Sequence, residues 1–230
     1  MDIIFWGNFL LIPIAAVEFI LALYILVRKT RSEISISFGL FALFVAFWVF
    51  SNGFGYISVD ESLKWFWWNF TFIAALFILA TFLLFSWVFP FKEKIITIKN
   101  YLILFVPTII FILVIIFTDL FIKGFEYEAP YQIFYGSAYH LFAFYFIAFW
   151  GWAFINLYKK FRHSDGIHRW QLKYLLIGVI ISSAFGITTN LLLPWIGQGQ
   201  VNSYDFIGPA SSVAWLGFAS YIIFRKTRIN

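Results

Sequence analysis

"WQLKYLLIGVIISSAFGITTNLLLP", Trp170–Pro194, is the stretch on which the fold turns. It is too long and too continuously apolar for a strand, and it matches the roughly 20 residues a helix needs to cross a bilayer. It is not uniformly greasy. Gly178, Ser182, Gly186 and Asn190 recur every four residues and so share one helix face. Thr188 and Thr189 stand beside Asn190 near the end of the run. A polar group left without a partner in hydrocarbon costs about 2–7 kcal/mol. These side chains are therefore packed against a neighbour, wetted, or used.

The rest of the chain has the same character. Of its 230 residues, 63% are hydrophobic and 12% charged, with a net charge of +5 and no cysteine. Soluble domains are about 45–50% apolar and about 25% charged. A water-soluble globule is excluded, and so is any thiol or disulfide chemistry. The N-terminus, "MDIIFWGNFLL", has no basic residue ahead of its apolar run. It reads as a retained span rather than a cleaved signal peptide. Seven segments qualify as spans: Ile4–Val27, Ile34–Ile57, Trp65–Phe89, Tyr101–Thr118, Tyr135–Tyr158, Trp170–Leu193 and Phe206–Phe224. The expected fold is all-α, a single seven-helix transmembrane domain over residues 1–230 joined by short loops.

Charge sets the expected orientation. Arg28, Lys29 and Arg31, then Lys92, Lys94 and Lys99, then Lys159, Lys160, Arg162, Arg169 and Lys173, and finally Arg225, Lys226 and Arg228 fall on one side. Only Lys64 and Lys123 fall on the other. Basic loops stay in the cytoplasm, which puts the N-terminus outside and the C-terminus inside. Pro90 and Pro194 are expected to end spans three and six, because proline cannot continue the backbone ladder. Trp48, Trp150, Trp152 and Trp215 lie deep enough in their spans to fill the bundle. The other tryptophans sit where an interfacial belt would.

The intramembrane polar residues are the candidate site. Two readings of the span-six stripe stand. Gly178, Ser182 and Gly186 form a helix-packing seam of the small-xxx-small kind. Alternatively Thr188, Thr189 and Asn190 face a cavity open to the outside. Glu18 is the one acid well inside a span, and Ala15 and Ala22 share its face, so it points into the bundle. It is either a proton- or cation-sensing group or a neutral, hydrogen-bonded structural acid. Asn52, followed by Gly53 and Gly55, Asn69 and His140 lie toward the outer ends of spans two, three and five. Glu18, Asn52, Asn69, His140 and Asn190 are candidates to line one outward-facing cavity, with Glu18 the deepest.

Other chemistries find no footing. No nucleotide fingerprint, no metal-ligand helix pair and no nucleophile–base set with recognisable spacing is present. No catalytic residue, cofactor or metal site is expected. His163 and His168 flank "SDGI" at a spacing unsuited to a one-face metal pair, and "KGFEYEAPYQ" reads as a solvated loop. The basic cluster "KKFRHSDGIHRW" suits anionic lipid rather than nucleic acid. A retinal protein needs a lysine in its last span, and "FIGPASSVAWLGFASYIIF" has none.

The order of motifs in the second half is more specific. "FINLYKKFRHS" closes span five, "RWQLKYLLIG" opens span six and "TNLLLP" ends it, "IGP" begins span seven and "YIIFRKTRI" leaves it. The early "RKTRSEISISFGLFALFVAFWVF" fits the same pattern. Together they resemble the N-terminal seven-transmembrane region of histidine kinases, the membrane sensory module of bacterial sensor kinases. The resemblance implies signal reception in the cell membrane and relay through the last helix to a cytoplasmic kinase or other output domain, with a homodimer as a state open to it. No phospho-accepting helix or ATP-binding region follows span seven. The expected role is therefore an input module without catalysis of its own, either a fragment or a stand-alone partner of an output protein. The competing reading is a small transporter or channel that uses Glu18 and the polar face of span six.

Overall fold

The computed structural model describes residues 3–28, 32–92, 96–126, 132–196 and 206–224. Long helices dominate it: α1 (Ile3–Arg28), α2 (Glu33–Ile57), α3 (Glu61–Val88), α4 (Ile98–Phe117), α5 (Ser137–Arg162), α6 (Gly166–Ile187) and, after a short α7 (Leu193–Ile196), α8 (Ile207–Phe224). Seven of the helical segments are long and apolar enough to cross a membrane, with α6 and α7 joined into one span from Gly166 to Ile196.

The helices begin where side chains can satisfy the first free N–H groups. Ser32 Oγ accepts from Ser35 N–H at 3.0 Å ahead of α2, and Asp60 Oδ1 accepts from Leu63 N–H at 3.0 Å ahead of α3. Asn100 reaches back to Thr97 N–H at 3.0 Å at the start of α4. α6 opens on Gly166 at φ +54°, a left-handed position that favours glycine.

α1, α2 and α3 pack as an antiparallel trio, and α8 closes against α1, α2 and α6. α3 is the most enclosed span and α4 the least, so α4 presents most of its surface to lipid. Rings fill the interior: Phe44 stacks on Phe77 at 4.5 Å and Phe82 on Trp150 at 4.4 Å, while Phe41 meets Trp215 edge-on at 5.4 Å. Ring pairs of this geometry add about 0.5–1.5 kcal/mol beyond the area they bury.

Three expectations are corrected. The connection between α4 and α5 is not wholly loop. It holds an antiparallel hairpin, β1 (Ile122–Glu126) with β2 (Gln132–Tyr135), paired from Ile122 with Tyr135 to Glu126 with Gln132. Tyr135, read as the start of span five, belongs to that hairpin. Its ring stacks on Tyr139 at 3.9 Å. Trp152 is exposed on the lipid-facing side of α5 rather than filling the bundle. Pro194 does not end the sixth span. Ahead of it the helix widens into a single π-turn, Thr188–Leu192, in which Leu193 N–H reaches Thr188 O. Proline clashes with the carbonyl four residues back in a regular helix. The wider turn moves the chain out of that register, and the helix continues to Ile196.

Candidate functional site

The polar stripe of span six faces α8. A Cβ placed on Gly208, the glycine of "IGP", would fall 2.5 Å from Asn190 Nδ2, 2.8 Å from Thr189 Oγ1 and 3.0 Å from Gly186 Cα. A Cβ on Gly178 would fall 2.3 Å from Trp215 Cδ1. Two glycines on α6 and one on α8 thus bring the helices together at two heights. Gln171 adds a third tie, donating Nε2–H to Ile222 O at 3.0 Å in the last turn of α8.

Between these contacts the helices part around a cavity of about 140 Å³. α2, α3, α5, α6, the π-turn and α8 enclose it, and Ile133 and Tyr135 of the hairpin cover one end. For scale, a dry cavity of about 150 Å³ accepts a benzene ring. Phe41, Trp48, Phe72, Phe142, Trp150 and Trp215 supply aromatic wall. Asn52, Ser182, Ser183, Thr189, Asn190 and Ser212 supply polar groups, and no charged residue lines it.

Most of those polar groups are already engaged. Asn52 donates to Trp48 O at 2.7 Å. Thr189 donates to Phe185 O at 2.9 Å and accepts from Asn190 Nδ2 at 2.7 Å. Ser183 accepts from Trp150 Nε1 at 2.9 Å. Trp215 differs. It is 8% exposed, and its Nε1–H is buried without a hydrogen-bond partner.

The candidate residues therefore divide. Asn52, Thr189 and Asn190 line the cavity together with Ser182 and Gly186, while Gly178 lies against the Cδ1–Nε1 edge of Trp215. Thr188 is exposed and lies outside the lining. Asn69 bonds Trp65 O on its own helix at 2.9 Å and does not reach the cavity. His140 is exposed and its Nδ1 accepts from Trp195 Nε1 at 2.7 Å, which ties α5 to α7 at the surface. Five-way convergence is not what the helices build.

Glu18 sits behind the wall. It is 1% exposed, and Ala15 and Ala22 are buried on the same face. Ser212 Oγ donates to its Oε1 at 2.6 Å, and the same hydroxyl lies against Pro209 O. Oε2 is buried without a partner, and neither ion pair among the described residues, Lys92–Glu33 nor Arg169–Asp165, involves it. Ser212 itself lines the cavity, so one hydroxyl separates the acid from the space.

Two groups that sequence reasoning passed over matter to this arrangement. Ser212 carries a visible signal, the small polar pair after Pro209 in an otherwise apolar span. Lys160 carries none, since it looks like one more topology cation. It is 3% exposed, and its ammonium donates to Trp87 O at 2.8 Å, Phe89 O at 2.9 Å and Phe91 O at 2.8 Å. It thereby satisfies one carbonyl of the last turn of α3 and two of the chain just beyond it.

A family model described as the N-terminal 7TM region of histidine kinase matches residues 10–227. No curated protein and no solved structure matches the chain. Seven apolar spans and that match make this a multi-pass protein of the cell membrane. The matched region is a membrane input region and not a catalytic kinase domain. With nearly the whole sequence covered, the chain belongs to the family of N-terminal seven-transmembrane regions of histidine kinases.

Proposed function

We propose that residues 1–230 act as one sensory module, with the cavity as its input and α8 as its output, relaying to a cytoplasmic kinase or other output domain. The observation that carries this reading is the position of Gly208, Ser212 and Trp215. These three residues of the last helix form one wall of the cavity. An occupant that prefers one α6–α8 spacing shifts the balance of bundle states by its differential affinity for them. The basic loops support an outside N-terminus and a cytoplasmic C-terminus; on that reading the hairpin end of the cavity faces outside and the end of α8 faces inside. The homodimer expected of such modules would give α8 a second copy to move against.

The test uses the absence of native cysteine. Spin labels at Val27→Cys on α1 and Tyr221→Cys on α8, both exposed positions, report the distance between the helices in lipid nanodiscs. Filling the cavity with Ser182→Phe shifts that distance distribution. An unchanged distribution in a folded Ser182→Phe variant removes the coupling between cavity and α8. A cysteine at Asn230 that is labelled only from outside removes the orientation.

A further inference from the structure

We infer that Glu18 is a proton-binding site that ties α1 to α8, and that the proton it holds sets the position of the last helix. The inference concerns a group behind the cavity wall and rests only on the reading of α8 as the output.

Three observations carry it. The first is a count of hydrogens. Ser212 Oγ lies 2.6 Å from Glu18 Oε1 and is also in hydrogen-bond contact with Pro209 O. A hydroxyl has one hydrogen and cannot donate to both oxygens. A proton on the carboxyl removes the conflict. The acid O–H then donates to Ser212 Oγ, Ser212 O–H donates to Pro209 O, and the contact with Glu18 reverses its sense at the same heavy-atom distance.

The second is the surroundings. Glu18 is 1% exposed near the middle of α1, and its Oε2 has no partner among the described residues. α1 packs on α2 and α8. α8 contains no charged residue, and its one tyrosine, Tyr221, is exposed. The charged residue of α2 is Glu33 in the first turn, paired with Lys92 at 2.8 Å, and Tyr56 stands in the last turn. On α1 itself Tyr24 is exposed, and Arg28 stands ten residues on, about 15 Å along the axis. An ionised Glu18 would meet no counter-charge on these helices.

The third is the connection. The contact joins two helices that are far apart in sequence, between the buried Ala15 and Ala22 of α1 and the cavity that Ser212 lines. Release of the proton is a plain exchange: the acid O–H breaks and water takes the proton. The carboxylate left behind needs water, and parting α8 from α1 brings it toward the space beyond the hydroxyl.

The test follows the proton and the helix together, from about pH 5 to pH 10, a range that spans the titration of buried carboxyls. The full chain in nanodiscs carries the spin labels at Val27→Cys and Tyr221→Cys, and infrared spectra are read on the same samples. At the acid end the parent shows a protonated-carboxyl C=O stretch that Glu18→Gln lacks, and Ser212→Ala shifts the position of that band. As the pH rises the band disappears and the α1–α8 distance lengthens with the same midpoint and the steepness of one proton. Glu18→Gln keeps the acid-end distance throughout, and so does Glu18→Met, the second variant of similar length. Absence of the band at the acid end overturns the protonated acid. A band that persists through the range makes Glu18 a fixed fastener and overturns the switch. A band unmoved in Ser212→Ala overturns the tie. A distance change that survives in both Glu18 variants, or a band lost without a distance change, overturns the coupling. The cavity reading fails separately. A Ser182→Phe variant that moves α8 while pH does not leaves the cavity as input and removes the proton site. A pH response that Glu18→Gln abolishes, with no response to Ser182→Phe, does the reverse.

Discussion

Two polar systems inside this bundle invite comparison. At the end of α3, Lys160 brings a charge into the protein, and its ammonium is met by three carbonyls. The groups that line the cavity carry no charge, yet Trp215 Nε1 in its wall and Glu18 Oε2 behind it are left without partners. The first system looks the more costly and is the better satisfied. Full satisfaction makes a buried polar group a structural fastener, whereas a buried group without a partner carries an uncompensated desolvation cost.

The largest effect is expected at the fastener. Lys160→Met leaves three carbonyls in and just beyond the last turn of α3 without their shared donor and lowers stability by about 3–5 kcal/mol, read as a loss of thermal stability in mixed micelles. A loss below about 1 kcal/mol would erase the contrast between the two regions. Next comes the close approach of α6 and α8. Gly208→Leu pushes against Asn190, Thr189 and Gly186 and costs about 1–3 kcal/mol, with a longer α6–α8 distance by spin labelling. The sharpest comparison lies between two tryptophans of one cavity. Trp150→Phe loses a made bond to Ser183 and costs about 1 kcal/mol, while Trp215→Phe loses no protein bond and is neutral or slightly stabilising. Equal costs in the same unfolding assay would mean that the Trp215 N–H is not open.

The smallest effect serves as a surface reference. Asp60 is fully exposed, and the hydroxyl of Ser62 with the N–H of Leu63 holds its carboxyl below the usual range. A lowered folded pKa adds stability above the unfolded value, near 3.9, that is lost as the pH falls through the folded value. Acid titration below about pH 4 therefore shows a slight loss of stability that Asp60→Asn removes.

The seven spans were legible because length and hydropathy are properties of a segment alone. Glu18 was legible as inward-facing for a similar reason, since two alanines at helical spacing mark a buried face. Asn69 and His140 were not, because partner choice decides their roles. Asn69 bonds a carbonyl one turn back on its own helix, and His140 bonds Trp195, 55 residues further along the chain. Lys160 was read as a loop charge because no local pattern distinguishes a lysine that snorkels outward from one that turns inward to carbonyls on another helix. The stripe of Gly178, Ser182 and Gly186 posed a choice between seam and cavity that the structure dissolves. The outer glycines seat α8, and the space opens beside Ser182.

The π-turn at Thr188–Leu192 gives this helix slack in its count of residues. A regular helix advances about 100° per residue, so a π-turn amounts to one inserted residue absorbed without breaking the rod. Losing one residue between Thr188 and Leu192 would rewind the turn to a regular helix, keep Trp195 on the face that meets His140, and bring Pro194 back against the carbonyl it now avoids. Single-residue deletions in membrane helices are usually read as damage to a span. In this one, a deletion would leave the facing of the last turn unchanged and return the strain to Pro194, and sequences of this kind that differ by one residue here would differ in length rather than in rotation.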